Sequence, residues 1–150
     1  MNRSFLFLAP GFEEIEALTV VDVMRRAGMD IKTVSIIPEH KVTGANGITV
    51  EADLLFSKTR FDNIEWLITP GGMPGSTNLN AHAGVLSTMR RQFDSGKLVA
   101  ASCAAPMVLG TAGILQGKRA TCSPGFQKYL TGAEYTGELF TVDGNVITGE

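Results

Sequence analysis

Between Lys97 and Lys118 the chain carries no charged side chain, and this stretch constrains the fold more than any other. Leu98–Gly117 is long enough to cross a bilayer as one helix. Ser102, Pro106, Gly110, Thr111, Gly113 and Gln116 interrupt it, and alanine rather than leucine fills much of it. Proline stands well only at the first turn of a helix. The stretch therefore reads as a buried strand, Leu98–Ser102, a sharp turn, and a buried helix from about Ala105 to Thr111. Two other short apolar runs, Phe5–Ala9 and Trp66–Thr69, are continuous rather than alternating, as parallel strands covered on both faces should be. Ile31–Ile37 is a fourth strand.

Helical segments separate these runs. Glu13–Ala27, stopped by Gly28, has an apolar stripe of Ala17, Val20, Val21, Met24 and Ala27. Val85–Ser95, stopped by Gly96, places Val85, Leu86, Met89 and Phe93 on one face. Alternating strands and helices predict an α/β sandwich around a mainly parallel sheet. Shorter strands are expected at Val42–Thr43, Ile48–Glu51, Leu139–Val142 and Val146–Thr148. Asp143-Gly144-Asn145 is a hairpin turn, and Val146–Thr148 re-enters the sheet.

Composition excludes several classes. Apolar residues are 44% and charged residues 19%, so the chain is not intrinsically disordered. Thirteen basic against fifteen acidic residues give a net charge of −2, without the basic excess that would attract nucleic acid or anionic membrane. The start, Met1-Asn2-Arg3 followed by Ser4–Ala9, is too short an apolar stretch for a signal peptide, and Glu13, Glu14 and Glu16 follow. A cytoplasmic protein is expected. Two cysteines make no disulfide framework, and with His40 and His82 they match no common metal spacing.

Three places carry chemistry. Cys103 follows Leu98–Ser102 directly and a helix starts within about two residues. Ligands in open α/β sheets sit beyond the carboxyl ends of the strands. Small neighbours, Ser102, Ala104 and Ala105, suit a strained nucleophile turn whose helix-starting amides lower a thiol pKa and stabilise an oxyanion. Pro70-Gly71-Gly72-Met73-Pro74-Gly75 ends another strand, and its amides can complete that pocket. The same residues lack the Gly-Lys-Ser/Thr of a phosphate loop. Glu16 falls in line with Val20, Val23 and Ala27 at about 100° per residue. A carboxyl on such a stripe is expected to be protonated or hydrogen-bonded. Glu13 and Glu14 read instead as solvated first-turn residues favoured by the helix dipole. His82 suits a surface or helix-start position and His40 a solvated turn. Trp66 reads as core, Arg25 and Arg26 as surface or dimer contacts. Phe126 and Tyr129 either line the site or pin a short helix.

Gly11-Phe12-Glu13-Glu14-Ile15-Glu16, Val21–Gly28, Pro70-Gly71-Gly72 and Ala100-Ala101-Ser102-Cys103-Ala104-Ala105-Pro106 together resemble the ThiJ/PfpI family, in order and nearly end to end. The resemblance implies a flavodoxin-like three-layer sandwich of the class I glutamine amidotransferase-like type, as a single domain over residues 1–150, and a homodimer. It implies a reactive Cys103, a protonated Glu16, and backbone donors from Gly72, Cys103 and Ala104, with no metal or organic cofactor. The implied activity is glyoxalase- or deglycase-type chemistry on a small reactive carbonyl or its adduct. A peroxide-responsive cysteine sensor or stress chaperone is the alternative. Members often carry a histidine where this chain has Ser123, so neither a Cys–His dyad nor peptidase activity is expected. Cys122 beside that position is a candidate second thiol, able to resolve oxidised Cys103 or simply buried. The resemblance also implies a Gly-Pro step and a further helix beyond Glu150, so the chain reads as a member lacking its C-terminal part. Glu16 is expected to sustain a thiolate at Cys103 at neutral pH.

Overall fold

The continuous apolar runs become the inner strands of one sheet. The computed structural model describes residues 3–150, so the Met1-Asn2 start lies outside it. In chain order the elements are β1 (Arg3–Leu8), α1 (Glu14–Arg26), β2 (Asp30–Ser35), β3 (Lys41–Thr43), β4 (Thr49–Glu51) and β5 (Leu54–Leu55). There follow β6 (Ile64–Thr69), α2 (Gly75–Asn80), α3 (Ala83–Asp94), β7 (Leu98–Ser102) and α4 (Pro106–Thr111). The chain continues through β8 (Arg119–Ala120), β9 (Glu134–Tyr135), β10 (Phe140–Asp143) and β11 (Val146–Gly149). The main sheet has the order β10-β11-β7-β6-β1-β2-β5. All its neighbours are parallel except the β10–β11 hairpin. This is the α/β sandwich around a mainly parallel sheet that the sequence pattern predicts, with the flavodoxin-like architecture that the resemblance implies.

Successive residues of β1 feed opposite layers, as strand geometry requires. Phe5 and Phe7 pack with Val85 and Met89 of α3 and Val108 and Leu109 of α4, while Leu6 and Leu8 pack with Ala17 and Val21 of α1. Each such fully buried side chain contributes roughly 1.5–3 kcal/mol. On the α1 side an apolar groove of about 360 Å³ lies open between α1 and β10, lined by Val20, Met24, Trp66, Ile68, Phe140 and Ile147. Trp66 thus stands at a groove wall rather than wholly in the core. Among the described residues no helix is long and apolar enough to cross a membrane.

Two expectations about α1 need correction. Val23 is 57% exposed and Ala27 is also exposed, so the stripe that was to bury Glu16 faces outward. The buried residues are Glu14, Ala17 and Val21. Glu14, expected in water, is only 4% exposed. It accepts hydrogen bonds from the Asn46 amide (2.8 Å), the Asn46 side chain (2.9 Å) and the Ile48 amide (3.1 Å). The turn between β3 and β4 wraps around it so closely that any Cβ at Gly44 would collide with its carboxyl. Glu14 therefore fastens the β3–β4 hairpin to the start of α1.

Burial works against the Glu14 charge, but the bonds from Asn46 and Ile48 outweigh it and hold the pKa below its ordinary 4.5. A lowered folded-state pKa gives stability that is complete above the unfolded value and lost as pH falls through the folded one. Acid unfolding below about pH 4.5 is thus expected to be less steep in Glu14→Gln than in the parent chain. Thermal melts across that range check this, and parallel pH profiles would refute it.

Candidate functional site

The carboxyl ends of β1, β6 and β7 meet at one edge of the sheet, and three loops converge there. At the end of β7 the chain turns so sharply that Cys103 takes φ = 61°, left-handed space that non-glycine residues seldom occupy. Such strain costs on the order of 1–3 kcal/mol and persists only where the surroundings enforce it. Here they do: the Cys103 amide donates to the Gly149 carbonyl of β11 (3.0 Å), and the Cys103 carbonyl accepts from the Ser123 amide (2.8 Å). Pro106 then opens α4 at a position where no amide is needed.

The second loop is Pro70-Gly71-Gly72. Gly72 has φ = 99°, and any Cβ there would collide with the Glu13 amide. Gly71 accepts from that amide through its carbonyl (2.9 Å), which ties the loop to the start of α1. A Cβ at Gly71 would lie 2.5 Å from the Cys103 Cβ and 2.8 Å from Glu16 Oε1. The bare Gly71 Cα is thus what lets Glu16 and Cys103 approach each other.

The third contribution is Glu16 itself, half-buried in the first turn of α1. Glu13 caps the helix by accepting from the Glu16 amide (2.7 Å). The Glu16 Oε1 accepts from the Ser102 hydroxyl (2.8 Å) and from the Gly71 amide (3.3 Å). Glu16 is held at the site by its place at the sheet edge and by these donors, not by an apolar stripe.

Cys103 is partly exposed. Burial pushes its thiol pKa up, and the Glu16 charge adds to this; Ser123's side chain and the amides of Ala104 and Gly72 pull the other way without overcoming them. The Glu16 contribution is that of an ionised carboxylate; the protonated Glu16 expected from the sequence would carry no such charge. A carboxylate beside a thiol opposes the second negative charge, and desolvation opposes it too. The set of backbone donors also narrows. The Cys103 amide is engaged by Gly149, which leaves Gly72 and Ala104 facing the sulfur.

Cys122 is fully buried, and burial followed by the Cys103 charge raises its thiol pKa. His82 caps α3 through Nδ1, accepting from the Val85 amide (3.0 Å), and packs its ring on Phe56. His40 is exposed, with Nδ1 2.8 Å from the Ala52 carbonyl. Arg25 bonds the Ile31 carbonyl and Asp53, and Arg26 pairs with Asp22. The Phe126 and Tyr129 rings lie 6.0 Å apart around the short turn Gln127–Tyr129, which packs against α4 at Gly110. Two participants escape sequence reasoning. Ser102, noticed only for its size, donates to Glu16, and Ser123, noticed only as not being histidine, acts on the thiol.

Comparison with known proteins bears on the family and the fold. A model described as the DJ-1/PfpI family matches residues 2–150. Protein DJ-1 homolog B of Arabidopsis thaliana is 34% identical over 94% of this chain, but the match takes in 33% of that protein. The chain spans about a third of the length of the two Arabidopsis relatives it matches. A deglycase of Pyrococcus horikoshii is 33% identical over 95% of this chain and 87% of its own length. The crystal structure of a cysteine-to-alanine mutant of a DJ-1 superfamily protein from Salmonella typhimurium superposes with a TM-score of 0.94 at 34% identity, covering 100% of this chain and 82% of that one. The chain belongs to the DJ-1/PfpI family.

Proposed function

We propose that Cys103 and Glu16 act together on small reactive carbonyls such as 2-oxoaldehydes. The observation that carries this reading is the placement of a partly exposed thiol and a carboxyl on either side of the bare Gly71 Cα, with two unengaged amides facing the sulfur. Cys103 Sγ attacks the aldehyde carbon as its proton passes to the Glu16 carboxylate. The carbonyl oxygen becomes an alkoxide that accepts from the Gly72 and Ala104 amides. Glu16 returns the proton, giving a hemithioacetal. Glu16 then moves the proton from the hemithioacetal carbon to the neighbouring carbonyl carbon while the hydroxyl proton passes to the other oxygen, giving a 2-hydroxy thioester; water adds to its carbonyl, the C–S bond breaks, and the 2-hydroxy acid and the free thiol are released. Coupling attack to proton transfer suits a thiol that is protonated at rest. The deglycase relative from Pyrococcus horikoshii supports a carbonyl-derived substrate class. Conversion of methylglyoxal to lactate by the purified chain tests the reading, and a rate equal to the buffer blank would contradict it.

The chain is further proposed to act as one domain, in a reducing compartment that suits its two free thiols. A homodimer is proposed through the outer face of α1, where Ile15 is 74% and Leu18 38% exposed. Sedimentation equilibrium checks this; a mass of one chain, 16.0 kDa, would contradict it.

A further inference from the structure

Cys122 takes no part in the carbonyl chemistry, yet its backbone lies against that of Cys103. The Ser123 amide donates to the Cys103 carbonyl at 2.8 Å. With standard bond lengths, the path from the Cys122 Cα through that hydrogen bond to the Cys103 Cα is about 8.4 Å when straight, and its bends shorten it. Bridged cysteines have Cα separations of about 4.4–6.8 Å. No other cysteine exists in the chain.

The two thiols differ in access. Cys103 is partly exposed at the sheet edge, while Cys122 is fully buried in the core cluster that includes Ala104, Ala105 and Val108. An oxidant in solution therefore meets Cys103 first. Residues Pro124 and Gly125, next along the chain, are exposed, and Phe126 beyond them packs against the core.

We propose that Cys122 is the resolving thiol for Cys103, closing an intramolecular disulfide after a hydroperoxide oxidises Cys103. In the first step the Cys103 sulfur attacks the distal peroxide oxygen. The S–O bond forms, the O–O bond breaks, and the alcohol or water leaves with the thiol proton. Cys103 is oxidised to sulfenic acid and the peroxide is reduced. In the second step Cys122 sulfur attacks Cys103 sulfur. The S–S bond forms, the S–O bond breaks, and the hydroxyl leaves as water with the Cys122 proton. The outcome is a reversible disulfide in place of progressive oxidation to sulfinic acid.

The test is intact mass and thiol titration of the purified chain after mild hydrogen peroxide, with Cys122→Ala alongside. The expected result is a loss of about 2 Da, no titratable thiol, and full reversal by dithiothreitol. In Cys122→Ala, Cys103 is expected instead to gain one or two oxygens and to react with dimedone at the first stage. Overturning results are oxygen addition at Cys103 with Cys122 still free in the parent chain, a disulfide only between chains, or no oxidation of either thiol. The mass of the parent chain decides the matter even where the variant folds poorly. None of these outcomes depends on whether methylglyoxal is turned over.

Discussion

Replacing Cys103 with alanine is expected to reduce methylglyoxal turnover by at least roughly a thousandfold, to the background rate. The substitution removes one sulfur from a half-buried position and keeps both backbone bonds, to Gly149 and from Ser123, that hold the elbow. Alanine occupies the same φ of 61° at a cost close to that of cysteine, so a folded protein with an unchanged circular dichroism spectrum is expected. The loss therefore reports the missing nucleophile and not a collapsed site. Cys122, fully buried, offers no substitute. Residual turnover within tenfold of the parent chain would mean that the sulfur is not the attacking group.

Glu16→Gln has a sharper signature, because two readouts move in opposite directions. Glutamine keeps an acceptor for the Ser102 hydroxyl and the Gly71 amide, so the side chain stays in place. It cannot carry a proton between substrate carbons, and turnover is expected to fall roughly 10²–10⁴-fold. The same change removes the negative charge that, after burial, raises the Cys103 pKa. Alkylation by iodoacetamide at neutral pH is therefore expected to be faster in the variant. A purely structural Glu16 would lower both rates together. A glutamate that stabilised the thiolate would slow alkylation.

The run Leu98–Ser102, bounded by Lys97 and followed by Pro106, states its own strand, turn and helix; the structure reproduces the strand residue for residue and starts the helix at Pro106, one residue after the expected Ala105. Gly28 and Gly96 likewise end α1 and α3, with φ of 80° and 78°. These are local signals, settled within one element. Glu16 is legible for another reason than the one that places it there. The periodicity puts it with Val23 and Ala27, which face solvent, while the donors that hold it come from Ser102 and Gly71 on other elements. Glu14 is illegible because what covers it, Gly44–Ile48, comes some thirty residues later and offers two backbone amides, which any sequence possesses, with one side-chain donor from Asn46. The helix α2 is missed because Leu79 is its one large apolar residue, too little for a periodic pattern. The thiol's electrostatics depend on desolvation and on a charge contributed across the Gly71 gap, and neither is written near Cys103.

The account stands on a single negative charge that Cys103 and Glu16 cannot both carry cheaply. The pH dependence of iodoacetamide labelling at Cys103, measured in the parent chain and in Glu16→Gln, tests this most directly. The account predicts a labelling midpoint above the free-thiol value of about 8.5 in the parent chain and a lower midpoint in the variant. Superimposable profiles, or a midpoint that rises when the glutamate is removed, would contradict it.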